Sequence, residues 1–335
     1  MKAVGFKKSL PIEDSESFID FESDKPKPGK RDLLVKIKAI SVNPVDYKVR
    51  QSAAKDKELD EPKIIGWDAS GIVEDVGEEV SLFKKGDEVF YSGDLNRPGC
   101  YAEYQAVDER IVAGKPEKLS WEDAAALPLT SLTAWECIFD RMRIQENEGK
   151  NKSILVIGGA GGVGSIAIQI LKQLTQLKVI ATASREVTKT WCKKMGADVV
   201  VDHKNLKENM KDEARVDYIL NFADTSGHWE EMAELIAPQG AICCVVNTTE
   251  NVDLNLLKNK SVSFHWELMF TRPMFTTQDM IAQHHILDRI RALVDDAKIE
   301  STANEYFNGL TANTIKEVHK LQESGKSIGK NVIKF

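Results

Sequence analysis

The stretch Ile154-Leu155-Val156-Ile157-Gly158-Gly159-Ala160-Gly161-Gly162-Val163-Gly164 decides the fold. Aliphatic residues run into glycines and pass straight into 165–174, which has helical spacing. That order spells a buried parallel strand, a tight turn and a helix N-terminus. Gly159, Gly161 and Gly164 fit the G-x-G-x-x-G pattern of a dinucleotide-binding turn. Glycines let a pyrophosphate approach the backbone, and the helix's unpaired N–H groups and positive dipole end then hold the anion. Gly159, Gly161, Gly162, Val163 and Gly164 are thus the candidate pyrophosphate contacts. The bland alternative is an ordinary glycine turn, and the aliphatic strand before it and amphipathic helix after it count against that.

Working outward, short aliphatic strands alternate with helices. Strands are expected over 153–158, 178–183, 199–202, 216–221 and 241–246, and helices over 165–174, 187–195 and 228–236. Such alternation means a parallel sheet covered on both faces. Upstream the texture is β-rich, with strands over 33–40, 71–76 and 87–91 and turns at Pro28-Gly29, Gly77-Glu78 and Lys85-Gly86-Asp87. No apolar helical periodicity interrupts them; 52–61 reads as a charged, exposed piece. Ser120 caps a helix over 121–126, and a second helix over 131–143 follows Pro128. Beyond the alternating region, 261–270 is strand-like, 277–296 and 311–324 are helical, and 331–335 closes as a strand. A chain of 335 residues suits two domains. The expected class is α/β: a parallel-sheet, dinucleotide-binding domain over 126–267, and a β-rich domain built from 1–125 with 268–335.

Composition narrows the function classes. A net charge of −7 argues against nucleic-acid or anionic-membrane partners, which need a basic face. No apolar run approaches the ~20 residues of a membrane span, and the N-terminus lacks the apolar core of a signal peptide, reading as a first strand. Cys100, Cys137, Cys192, Cys243 and Cys244 are scattered, with no C-x-x-C pair, so neither a disulfide framework nor a zinc ribbon is suggested. Buried small hydrophobes in a reducing cytoplasm fit best, and a cytoplasmic location is expected.

The second strand of a dinucleotide fold meets the adenosine ribose, where an Asp or Glu accepts from the 2′-hydroxyl and repels a 2′-phosphate. Here that strand, 178–183, runs into Ser184-Arg185, with Glu186 only after the arginine. A hydroxyl beside a guanidinium suits a 2′-phosphate, which favours NADP(H) over NAD. A solvated surface arginine is the competing reading of Arg185. Thr188 and Lys189 are further candidates for the phosphate.

The chain resembles a medium-chain dehydrogenase/reductase, specifically the zinc-free quinone oxidoreductase-like branch, over nearly all its length. The matching residues are Ser41-Val42-Asn43-Pro44-Val45-Asp46-Tyr47-Lys48, Gly66-Trp67-Asp68-Ala69-Ser70-Gly71-Ile72-Val73 and Gly86-Asp87-Glu88-Val89-Phe90. They continue through Gly99-Cys100-Tyr101-Ala102-Glu103-Tyr104, the stretch from Ala126 to Ala134, the glycine turn, Met195-Gly196-Ala197-Asp198 and Gly325-Lys326-Ser327-Ile328-Gly329-Lys330. The stretch from Ser261 to Phe270 is similar to a subgroup labelled zinc-type alcohol dehydrogenase-like. The resemblance implies a Rossmann cofactor domain, a GroES-like catalytic domain and a homodimer paired through the edge strand near 261–270.

The zinc in that label does not suit these residues. In the zinc enzymes a cysteine stands where Asn43 is, and a His-Glu pair where Trp67-Asp68 are. An indole N–H donates and has no basic lone pair for a metal. The lobe with four structural-zinc cysteines is also missing, and adjacent His284-His285 point about 100° apart on a helix. No metal is expected.

Without a Lewis acid, oxidising a simple alcohol loses its alkoxide stabilisation. Reducing an activated acceptor, a quinone or an enone, asks only for hydride, donors to the developing oxyanion and a proton. Asn43 as amide donor and Lys48 as the group polarising the substrate oxygen are the catalytic candidates; for Asn43-Pro44 the plain alternative is a turn opener. By resemblance Thr130 bonds the nicotinamide ribose, with a helix N-cap as the alternative. Asn221, Val246 and Asn247 end consecutive strands, where ligands collect in open α/β sheets. Phe264, Trp266, Met269, Phe270, Met274 and Phe275 form the densest apolar cluster, read as core or subunit interface, or as pocket lining. The expected function is NADPH-dependent, zinc-independent reduction of quinones or α,β-unsaturated carbonyls. The competing readings are a zinc-free dehydrogenase of saturated alcohols or carbonyls and a non-catalytic NADPH-binding sensor.

Overall fold

The computed structural model describes residues 1–213 and 215–335. The chain forms two compact units, Met1–Leu129 with Phe270–Phe335, and Thr130–Met269.

The second unit holds a six-stranded, all-parallel sheet. Its spatial order is Val199–Val201, Lys178–Thr182, Ser153–Ile157, Val216–Asn221, Ile236–Cys244 and Ser263–Trp266. The strand that comes first along the chain, Ser153–Ile157, thus lies in the middle and the chain winds outward in both directions, the doubly wound Rossmann arrangement. The strands are near-continuously apolar because helices cover both faces. Ile154, Leu155, Val156 and Ile157 are fully buried, and so are adjacent Cys243 and Cys244, which point to opposite faces. Gly162–Leu174 and Thr225–Leu235 are among the covering helices.

The first unit is β-rich. Its seven-stranded sheet runs Ala303–Asn308, Lys330–Lys334, Asp32–Val42, Asp68–Val76, Glu88–Ser92 and Val112–Gly114, with Tyr104–Asp108 also pairing Asp32–Val42. The register brings distant segments together. Asn331 faces Val42, and Ser41 faces Asp68, so residues 42–43, 68 and 330 meet at one end of three neighbouring strands.

The structure departs from expectation in several places. A helix, Pro44–Ser52, stands where only strands and turns were expected. Pro44 takes the first helical position, where its missing N–H costs nothing, and Asp46 turns back to accept from the Asn43 N–H at 2.9 Å. The helix after Leu127 begins at Pro128 and ends at Trp135, continuing as a π-turn over Glu136–Arg141. The strand near 261–270 is only Ser263–Trp266, after which Glu267 folds inward to Arg141 at 2.5 Å. The helix expected over 277–296 starts at Ala282, following a left-handed Thr276 that terminates the preceding Thr271–Phe275 helix.

Candidate cofactor site and buried polar network

The glycine turn does what its sequence requires. Gly158 has φ +82°, and its N–H donates to Thr182 Oγ1 at 3.0 Å. A Cβ on Gly159 would lie 2.8 Å from the Ala181 Cβ, and one on Gly164 would lie 2.3 Å from the Gly158 carbonyl oxygen. These two glycines seat the helix against the strand. Gly161 differs: a Cβ there would meet only the Gly158 oxygen at 3.5 Å. Its side faces open space, as a cradle for a ligand would. Gly161 is the N-cap, and the first backbone bond of the helix runs from Ser165 N–H to Gly161 C=O at 2.9 Å. The N–H groups of Gly162, Val163 and Gly164 precede that bond, and the first turn carries no acidic residue. The residues present fit a dinucleotide pyrophosphate.

At the tip of the neighbouring strand, Ser184 is half-buried and Arg185 exposed at the N-cap of the Glu186–Lys194 helix. Thr188 is turned inward, accepting from the Arg185 N–H at 3.1 Å and donating to the Arg185 carbonyl at 2.7 Å, so its hydroxyl caps the helix. Lys189 pairs with Glu186 at 2.8 Å. Ser184 and Arg185 stand at the strand tip itself, where the phosphate is expected. Asp202 and His203, overlooked in the sequence, follow Val201, which is in register with Thr182. They stand at the same edge of the sheet.

Asn221 also lies at that edge, fully buried. Its Oδ1 accepts from the Ala223 N–H at 3.1 Å, and its Nδ2 reaches Thr225 Oγ1 at 3.3 Å. The Thr225 hydroxyl donates to the Val246 carbonyl at 2.5 Å. Asn221 thus ties two strand-end loops together, and Val246 and Asn247 sit beside it, the first half-buried and the second exposed. Thr130 is buried inside the Pro128–Trp135 helix, which excludes the N-cap alternative. The apolar residues of 264–275 divide between the two units. Phe264 packs on the sheet core beside Trp229, Phe270 is buried edge-on against Trp67, and Phe275 is exposed.

The first unit holds a polar network that the sequence reading missed. Asp68, fully buried, accepts from the Leu129 N–H at 2.7 Å, from Asn43 Nδ2 at 2.8 Å and from Lys330 Nζ at 3.2 Å. Lys330 Nζ also donates to the Val42 carbonyl at 3.2 Å and to Asn43 Oδ1. Three donors on the carboxylate and three acceptors on the amine are the bonding of an ion pair. Burial pushes Asp68 up and Lys330 down, and each partner's charge opposes the other's shift. Asn43, expected as a free amide donor, is instead buried and committed on both amide atoms, because the strand register delivers Asp68 and Lys330 to it. Lys48 is exposed on the same helix.

A second chain of bonds runs from the same helix. Asp46 Oδ2 accepts from the Tyr101 hydroxyl at 2.9 Å, and that hydroxyl lies 3.0 Å from His319 Nε2. All three are fully buried. Burial pushes the Asp46 carboxyl up to about 7, against the Asn43 N–H and the Lys330 charge. Burial, with Arg50 nearby, holds His319 down at about 3.

The positions that would carry a zinc are otherwise engaged. Trp67 Nε1 donates to the Asp94 carbonyl at 3.0 Å, Cys100 Sγ to the Asp68 carbonyl at 3.4 Å, and the Lys330 ammonium already fills the oxygen cluster at Asn43 and Asp68. Burial drives the Cys100 thiol far up. Among the described residues no group of three His, Cys, Asp or Glu side chains is arranged around a cation, and no helix is long and apolar enough to cross a membrane.

Residues 29–117 match the alcohol dehydrogenase GroES-like domain, and residues 162–282 match the zinc-binding dehydrogenase family. A zinc-type alcohol dehydrogenase-like protein of Staphylococcus epidermidis is 46% identical over 99% of both chains. A crystal structure from Rhizobium etli CFN 42, of a candidate zinc-dependent alcohol dehydrogenase, is 47% identical at a TM-score of 0.94, covering 100% of this chain and 98% of that one. The NADPH-dependent alkenal/one oxidoreductase of Arabidopsis thaliana chloroplasts is 40% identical over 54% of this chain and 46% of its own length. With both domains matched and relatives aligned end to end, the chain belongs to the medium-chain dehydrogenase/reductase superfamily of oxidoreductases, with a GroES-like domain joined to a Rossmann domain.

Proposed function

We propose that this oxidoreductase reduces quinones or α,β-unsaturated carbonyls with NADPH and without zinc. The observation that carries the reading is the glycine turn. Its Gly161 cradle opens onto an acid-free helix N-terminus, with Ser184-Arg185 rather than a carboxylate at the next strand tip. The name of the Arabidopsis relative supports both the coenzyme and the acceptor class. When bound, the coenzyme supplies the hydride.

The protein's own contribution is binding and proton handling. The N–H groups of Gly162, Val163 and Gly164 hold the pyrophosphate, and Ser184 and Arg185 hold the 2′-phosphate. Thr130 contributes at the nicotinamide ribose. Asn221, Val246 and Asn247 shape the sheet edge beside the glycine turn, Asn221 acting through the loops it ties. The exposed ammonium of Lys48 stabilises negative charge on the acceptor oxygen and moves a proton to it, while Asn43 acts as a tether. The Asn43, Trp67, Asp68 and Cys100 set does not fit a zinc ion, so no step passes through one. The outer edge of Ser263–Trp266, with Trp266 47% exposed, is the surface on which a homodimer would pair.

Following NADPH oxidation with a quinone, an enone and a matched saturated ketone tests the reading. The quinone and enone should turn over and the ketone should not, and Lys48→Met should lower kcat by about a hundred- to ten-thousandfold. Faster turnover of the ketone, or of NADH in place of NADPH, refutes it.

A further inference from the structure

We infer that Lys330 and Asp68 are positioning residues: their buried ion pair fixes the entry of the Pro44–Ser52 helix and so places Lys48. The inference rests on the reading of Lys48 as the group that meets the acceptor oxygen.

The geometry makes the pair a clamp on three separate segments. Lys330 Nζ binds the Val42 carbonyl and Asn43 Oδ1, the last strand residue and the N-cap of that helix. Asp68 binds Asn43 Nδ2 from the neighbouring strand and the Leu129 N–H within the Pro128–Trp135 helix. The sheet register supplies the third point, since Asn331 is paired with Val42. Asn43 is therefore held through both ends of its amide, and its backbone N–H is held by Asp46. A tether of this completeness leaves the first turn of the helix one position to occupy.

Stability alone does not account for such a pair. Desolvating two charges offsets most of their attraction, and apolar residues of similar volume commonly stabilise a core as well or better. What an ion pair adds is a single satisfied arrangement, since any shift of Asn43 leaves a charge or an amide without its partner. Displacement of a reacting group by about 1 Å can cost on the order of a hundredfold in rate. Asp46 and Asp68 both face the Lys330 charge, so removing it disturbs the helix entry from two sides.

The test compares Lys330→Met, Asp68→Asn and the double variant with the wild type. Each single variant leaves one uncompensated buried charge and should lower Tm, and the double variant restores neutrality and should recover most of that loss. If the pair positions, kcat stays down by about ten- to a hundredfold in both Lys330→Met and the double variant, with KM for NADPH within about twofold. Recovery of kcat together with Tm in the double variant overturns the inference and leaves the pair a stability device. Amide hydrogen exchange over 43–52 gives a readout that does not depend on turnover. It should quicken in Lys330→Met and in the double variant, and protection equal to wild type in both overturns the inference. Should wild-type protein reduce no quinone or enone, the functional reading falls, while the exchange over 43–52 still decides whether the clamp holds the helix.

Discussion

Replacing His319 by Gln gives a test whose size and sign both follow from the structure. His319 is fully buried, with its Nε2 3.0 Å from the Tyr101 hydroxyl, which in turn donates to Asp46. Its folded value of about 3 lies far below the ordinary 6.5. The folded state therefore binds fewer protons than the unfolded chain between about pH 3 and 6.5, and this histidine's contribution raises stability as pH rises through that window. Asp46 works in the opposite direction. Its folded value of about 7 lies above the ordinary 3.8, so its contribution lowers stability as pH rises from about 4 to 7. Where the windows overlap the two slopes oppose each other, each at most about 1.4 kcal/mol per pH unit. On folding, the pair in effect passes a proton from the histidine to the carboxyl, and stability stays nearly flat.

Gln keeps a hydrogen-bonding partner for the Tyr101 hydroxyl but does not titrate. It also loses the ring contacts of His319 with Phe18 and Tyr101, centroids 4.8 and 5.9 Å away, a cost that does not depend on pH. The slope separates the two effects. Measured by urea unfolding at several pH values between about 4 and 6.5, the stability of the variant minus that of wild type should fall with rising pH. The total change should be up to about 3 kcal/mol across that span. Arg50, Lys330 and Asp68, the other charges acting on this pair, are common to both proteins and cancel in the difference. A difference that stays constant with pH would refute the claim that the histidine is held neutral.

Gly161→Ala and Gly164→Ala should separate cofactor space from fold space. A Cβ at 164 runs into the Gly158 and Gly159 backbone and should lower Tm, whereas one at 161 meets nothing closer than 3.5 Å and should leave Tm alone while weakening NADPH in a fluorescence titration. Normal NADPH affinity in Gly161→Ala would remove the pyrophosphate from that turn. Arg185→Glu should weaken NADPH by about ten- to a hundredfold, the worth of a charge-assisted bond, and leave NADH little changed; equal loss for both coenzymes would point away from the 2′-phosphate. Exhaustive dialysis against a chelator should leave Tm and turnover unchanged, and one tightly held zinc per chain, lost together with activity, would contradict the reading of Asn43, Trp67 and Asp68.

The glycine turn was legible because its requirement is local. Gly159 and Gly164 sit where a Cβ would strike backbone or a core side chain, and a short aliphatic strand before them leaves few other structures open. The strands of the parallel sheet were legible for a similar reason, since burial on both faces writes a continuous apolar run into sequence. Pro44–Ser52 was hidden because the side chains it buries fully are Asp46 and Arg50. A helix whose inward face is charged has no apolar period to detect, and its only sign is the Asn-Pro start, which it shares with a turn. The π-turn at Glu136–Arg141 likewise leaves the helical pattern of its residues intact.

The polar network was hidden at a deeper level, for Asn43, Asp68 and Lys330 are 25 and 262 residues apart along the chain. Residue type shows what each can do: an amide donates, a carboxylate accepts, an ammonium balances charge. It does not show which of those capacities are already spent inside the fold. Asn43 illustrates the difference, since an amide free to meet a developing oxyanion and one clamped between Lys330 and Asp68 are the same residue in sequence. Only the pairing of Asn331 with Val42 and of Ser41 with Asp68 decides between them. The same register places a fixed cation among the oxygens of Val42, Asn43 and Asp68, where a metal-dependent relative would need its ligands free. Under the zinc-free reading proposed above, the internal ammonium of Lys330 opposes a metal at that place as much as the ill-suited side chains of Asn43 and Trp67 do. Asn43→Cys combined with Trp67→His should therefore create no zinc site while Lys330 remains, whereas adding Lys330→Met should let zinc bind in a metal titration.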